Sequence, residues 1–177
     1  MEIEIPSDVT VNVDDRKVIV KGPKSTIEKD FDDPRFNATI RMHVDGSKFI
    51  VDRVDEKKKS GAMAGSIIAH TRNMIIGVTK GYNYTLKIVY SHFPMSVTIA
   101  DGKISVKNFL GEKGARVVDV VGDAKVHVDK EEVSVTGANL EHVSQTAANI
   151  ERACKLRGKD RRIFQDGIYI TGRHVQK

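Results

Sequence analysis

Two stretches of this chain are repeated, and the repeat restricts the possible folds more than any other feature. Residues 11–21 line up with residues 97–107 at an offset of 86, so that Asp15, Lys17, Val20 and Lys21 recur as Asp101, Lys103, Val106 and Lys107. Both stretches alternate apolar and polar residues around a short turn at Asp-Arg or Asp-Gly, the pattern of a half-buried β-hairpin. Residues 42–51 match residues 126–135 at an offset of 84, with His43 and His127 in equivalent places, and read as a second hairpin. A chain of 177 residues has room for one ordinary domain or two small ones. Two repeated units fit that length.

Each half then changes to helical periodicity. After Asn139, read as an N-cap, apolar residues fall at Leu140, Val143, Ala147, Ile150 and Cys154, three and four apart, which turns one stripe toward a sheet. The first half has Met63, Ile67, Met74 and Val78 at that spacing, widened by Ile68 and Ile75, behind Ser60 as a cap and with Gly77 and Gly81 weakening the end. A strand over residues 82–90 is expected to close the first half, and a short strand over 167–171 the second. The expected fold class is α+β: two tandem duplicated domains, each an antiparallel β-sheet packed against one α-helix. The break falls between Gly81 and Pro94, giving an N-terminal repeat over residues 1–81 and a C-terminal repeat over residues 82–177.

Charge separates the two halves. Of 29 basic and 24 acidic residues, seven and two lie within residues 155–177, so the whole excess of +5 sits at that end and the preceding body is balanced. Localised positive charge is the footprint of a phosphate-binding surface, and here it lies at the end of the second repeat. Cys154 is the only cysteine, which leaves no disulfide within the chain and fits a reducing cytoplasm. The first residues carry no basic segment followed by an apolar one, and no run of eighteen apolar residues occurs, so neither export nor a membrane partner is expected. The sequons at Asn37 and Asn83 are read as incidental.

Three segments carry a family resemblance: residues 90–94 (YSHFP), 108–113 (NFLGEK) and 162–170 (RIFQDGIYI), the last accompanied by Gln145, Lys159 and Arg173. Over essentially its whole length the chain resembles the large-subunit ribosomal protein six family, in its archaeal and eukaryotic branch. The resemblance implies a tandem α+β protein that binds large-subunit ribosomal RNA mainly through its second domain. It further implies a position near the sarcin-ricin loop and the factor-binding region, with neighbouring large-subunit ribosomal proteins as partners and translation factors nearby.

Duplex RNA shows proteins a shallow minor groove, 2′-hydroxyls and phosphates but little readable sequence, so recognition runs on shape and charge. Two loops suit that task. Lys107, Asn108, Gly111, Lys113 and Arg116 combine an amide, a glycine that permits close backbone approach, and cations. On residues alone this loop reads equally well as a polar connection. Arg157, Lys159, Arg161 and Arg162 follow a helix C-terminus, where one or two cations would answer the helix dipole and four point to a partner. Arg173 and Lys177 complete the candidate RNA-binding residues. Phe109 is read as a core plug in preference to a base-stacking aromatic. Phe164 and Tyr169 are expected to flank a turn at Asp166-Gly167 that docks the C-terminal segment on the second sheet.

Catalytic and cofactor chemistry finds no support. The six histidines are scattered without the helical pair spacing of a zinc site, and the acidic residues Asp30, Asp32 and Asp33 beside Pro34 read as a solvated turn. Residues 111–114 lack the glycine spacing and the hydroxyl of a nucleotide loop, and Cys154 on a buried stripe is a poor nucleophile. The expectations are therefore no enzyme, no cofactor, no metal and no small-molecule substrate. The chain is expected in the cytoplasm, bound to the ribosome as a structural constituent of the large subunit, with a free-standing RNA-binding regulatory protein as the alternative.

Overall fold

A computed structural model describes residues 1–91, 93–160 and 162–176. The chain divides into two compact units, Met1–Gly81 and Tyr82–Lys177.

The first unit contains β1 (Glu2–Glu4), β2 (Thr10–Asp14), β3 (Lys17–Lys21), β4 (Thr26–Asp30), β5 (Ile40–Asp45), β6 (Lys48–Arg53) and helix α1 (Lys58–Thr79). Its strands form two antiparallel sheets, ordered β1-β6-β5 and β2-β3-β4. Period-two alternation decides what each sheet buries. Val18 and Val20 on β3, and Phe49 and Val51 on β6, are completely buried, while their sequence neighbours face outward. Helix α1 covers these faces with Ala64, Ile67, Ile68, Thr71, Met74, Ile75 and Val78. Ser60 does not cap it. The N-cap is Lys57, with no side-chain bond, and Ser60 is buried inside the first turn. The expected end holds: the N–H groups of Lys80 and Gly81 both reach the Ile76 carbonyl, and Gly81 sits at φ 86°, the left-handed position where glycine ends a helix without strain.

The second unit contains β7 (Tyr82–Val89), β8 (Ser96–Ala100), β9 (Lys103–Lys107), β10 (Arg116–Asp119), β11 (Lys125–Asp129), β12 (Glu132–Gly137), helix α2 (Leu140–Ala153) and β13 (Gly167–Val175). Its sheets run β10-β9-β8 and β11-β12-β7-β13. Both pairs of repeated hairpins are present, and their turns match at the first turn residue. Asp15 and Asp101 take the left-handed conformation at φ 49° and 51°, and Gly46 and Lys130 do so at 56° and 47°.

The topology corrects the expected phase of the repeat. Strand β7 does not close the first unit; it lies at the centre of the second unit's large sheet, between β12 and β13. The order β7-β12-β11 then matches β1-β6-β5, so each repeat opens with the strand that its later hairpin pairs with. Strand β13 has no counterpart in the first unit and continues to Val175, beyond the expected end at residue 171. Each unit is thus built from two sheets and one helix. The unforeseen third strand of each meander, β4 or β10, lies beyond the hairpin turn signal.

Helix α2 begins as expected: the Asn139 side chain accepts the Glu141 N–H at 2.9 Å. Val143, Thr146, Ala147 and Ile150 are buried, and the Thr146 hydroxyl takes the Val121 N–H at 3.0 Å. The expected turn at Asp166-Gly167 is absent. Asp166 is completely buried and accepts the Ser91 N–H at 2.9 Å, while Gly167 starts β13. A Cβ at Gly167 would stand 2.9 Å from the end of the exposed Tyr169 side chain, so a larger residue there would displace that ring.

Candidate nucleic-acid interface

Two loops of the second unit carry most of the candidate residues. The first follows β9 and is bent by backbone that non-glycine residues avoid: Asn108, Leu110 and Gly111 lie at φ 60°, 52° and 77°. Its anchors are visible. The Asn108 side chain donates to the Pro94 carbonyl at 3.0 Å, and Phe109 in the short 3-10 segment Phe109–Gly111 is 1% exposed, a core residue as expected. Gly111 packs against the Phe93 ring, with room for a Cβ at 3.5 Å but a φ that favours glycine. The loop's cations, Lys107 and Lys113, are exposed.

Arg116, on β10 just after this loop, is employed differently from its neighbours. Its Nε and Nη2 donate to the two Glu112 carboxylate oxygens at 2.9 and 2.6 Å, and its Nη1 donates to the Ala153 carbonyl at 2.5 Å. The guanidinium lies 4.2 Å from the centroid of the Phe109 ring. The hydrogen bond from Arg116 holds the Glu112 carboxyl below the usual carboxylate range. Sequence reasoning grouped Arg116 with the candidate RNA-facing cations; its side chain is partly exposed, and its fork is engaged by Glu112 and the Ala153 carbonyl.

The second loop leaves the end of α2. Lys155, Arg157, Lys159 and Arg162 are exposed, the Arg162 N–H donates to the Asp160 carboxylate at 2.9 Å, and the Lys159 ammonium sits 4.6 Å over the Phe164 ring. Arg152, in the last turn of α2, and Lys155 extend this basic surface; the sequence signal for them was a helix end rich in cations. A cavity of about 330 Å³ lies beside the loop, lined by Arg152, Cys154, Lys155 and Tyr169 among others. The Ala153 carbonyl that Arg116 grips is the last of α2, so one side chain joins the roots of both loops. Arg173 is not brought to them. It pairs with Tyr84, six residues along β13 from Gly167, which is roughly 20 Å of strand. Arg161 and Lys177 lie outside the described residues.

Cys154 caps α2 beneath this surface and is 3% exposed. Burial pushes its thiol up to about 11, against the opposing influence of Arg116. At pH 8 a thiol of that acidity is thiolate to the extent of roughly one part in a thousand. We therefore expect iodoacetamide to leave the native protein unlabelled at pH 8 and to label it once guanidinium is added. Stoichiometric labelling of the native chain would show that the end of α2 opens.

The fold and surface define a class: a tandem-duplicated α+β protein whose second unit gathers two basic loops around the end of its helix. The model of the ribosomal protein L6 family matches the chain twice, over residues 5–81 and 93–167. The chain is 49% identical to the large ribosomal subunit protein uL6 of Staphylothermus marinus over 172 residues, covering 96% of this chain and 91% of that protein. It is 46% identical to uL6 of Methanothrix thermoacetophila, covering 96% and 94%, and 44% identical to uL6 of Saccharolobus solfataricus, covering 98% and 94%. The chain belongs to the ribosomal protein L6 family.

Proposed function

We propose that this chain is a structural constituent of the large ribosomal subunit, held there by large-subunit ribosomal RNA through its second unit. The observation that carries the reading is the exposed cationic loop after α2, in which Lys155, Arg157, Lys159 and Arg162 face solvent on a unit with no matching excess of acid. Lysine and arginine side chains meet phosphates without reading bases, so the contact is one of shape and charge, and the duplex is recognised by its form. Lys107, Asn108, Gly111 and Lys113 supply a second contact, the glycine admitting the RNA backbone close to the protein backbone. Arg161, Arg173 and Lys177 are further candidates, Arg173 at a distance from the others. The site in the ribosome is near the sarcin-ricin loop and the factor-binding region, with neighbouring large-subunit proteins as partners and translation factors passing close by. The chain acts in the cytoplasm on the ribosome and holds RNA in place without catalysis.

Sedimentation tests the assignment against the alternative of a free-standing RNA-binding regulator. The tagged full-length chain, expressed in an archaeal host, should travel with large subunits through a sucrose gradient at moderate salt and leave them only in high salt. Recovery of most of the protein in the soluble fractions at the top of the gradient would refute membership of the subunit.

A further inference from the structure

Arg116 has the chemistry of a phosphate ligand, yet its hydrogen-bonding fork is already taken. Three of its five N–H groups are committed to Glu112 and Ala153, and one face of the guanidinium covers Phe109. The loop that it grips is one that needs gripping. Leu110 is a branched residue held in the left-handed region, beside Asn108, whose short amide tolerates that region better, and such backbone persists only where its surroundings over-determine it. Around this loop the determinants are the Asn108–Pro94 bond, the burial of Phe109 and the Arg116–Glu112 pair. At the other end, the Ala153 carbonyl is the point from which the second basic loop departs.

We propose that Arg116 is a positioning residue for RNA binding: fixed by Glu112, Phe109 and Ala153, it locks the loop after β9 to the end of α2, so that the cations of both loops meet one RNA backbone as a single surface. The proposal rests on the RNA-binding reading above. It also gives Glu112 a purpose. A carboxylate next to a phosphate-binding surface repels the ligand, and it is tolerated here because the geometry that it enforces outweighs the charge that it brings. Lysine is no substitute for Arg116, since a single ammonium cannot hold a carboxylate through two parallel bonds while reaching a carbonyl and lying flat on a ring.

The test measures full-length wild type, Glu112→Gln and Arg116→Lys against transcribed archaeal large-subunit ribosomal RNA over a salt series at 25 °C, with circular dichroism confirming that each is folded. Glu112→Gln makes the surface one charge more positive, so simple electrostatics predicts tighter binding. The clamp predicts the opposite: about tenfold weaker binding and a salt slope shallower by about one, as one phosphate contact is lost. Arg116→Lys keeps the charge and should lose affinity to a similar degree. Binding by Glu112→Gln as tight as wild type or tighter overturns the proposal, as does undiminished binding by Arg116→Lys, which would make Arg116 a simple point charge. A lower melting temperature with unchanged affinity of the folded variants overturns it too, in favour of a purely structural pair. If the wild type itself shows no salt-dependent binding, the RNA reading falls and the clamp falls with it.

Discussion

Replacing Arg157, Lys159, Arg161 and Arg162 together with glutamine is expected to weaken binding to large-subunit ribosomal RNA by roughly a hundredfold to a few hundredfold at 0.1 M salt, with little change in melting temperature. Each phosphate neutralised by a cation releases condensed counterions and adds roughly 0.7–0.9 to the slope of log affinity against log salt. Lys159 is partly engaged with Phe164. If the four residues together make about three contacts, the slope falls by about 2.1–2.7, which at 0.1 M corresponds to roughly two to two and a half orders of magnitude. Stability should be spared because the described members of the cluster are exposed and project from a loop beyond the buried stripe of α2. Exposed substitutions of this kind usually stay within about 0.5 kcal/mol each. An unchanged salt slope would place the RNA surface elsewhere, and a large loss of melting temperature would make the cluster part of the fold.

Phe49→Ala should do the reverse. Phe49 lies on β6, pairs in register with Ile3 of β1 and Val44 of β5, and is completely buried under α1. Truncating a buried phenylalanine costs about 3–5 kcal/mol through lost transfer energy and the cavity left behind. For a unit of this size that is a fall of more than about 10 °C in its transition, measured calorimetrically or by urea titration. Because Phe49 belongs to the first unit, the affinity and salt slope of the folded variant for the same RNA should equal those of the wild type. A loss below about 1 kcal/mol would mean that the core around β6 is not as closely packed as its burial indicates. A changed salt slope would assign RNA contacts to the first unit.

What was legible in the sequence was local, and what was not depended on partners distant in the chain. The hairpins could be read because alternation and an aspartate in a left-handed turn are signals within a few residues, and Asp15 and Asp101 adopt the same conformation 86 positions apart. The cap at Asn139 and the buried stripe of α2 were readable for the same reason. Strand β7 was readable as a strand but was expected to close the first unit, since its own residues are silent about whether β6 or β12 will pair with it. The basic loop after α2 was visible in composition alone. The engagement of Arg116 was not: its fork also reaches the Ala153 carbonyl, 37 residues away in the chain, and no pattern of residue types announces that.

The place of β7 in its sheet also orders events during synthesis. The first unit pairs its opening strand with β6 and can finish once α1 has been made. Strand β7 must wait for β13, which follows it by almost 80 residues, or roughly 4–16 s at 5–20 residues per second. Until then one edge of β7 stays open beside Leu86 and Ile88, residues that end up wholly or almost wholly buried. Shelter during manufacture is therefore needed most by the second unit, and there the arrival of β13 determines when the apolar edge disappears.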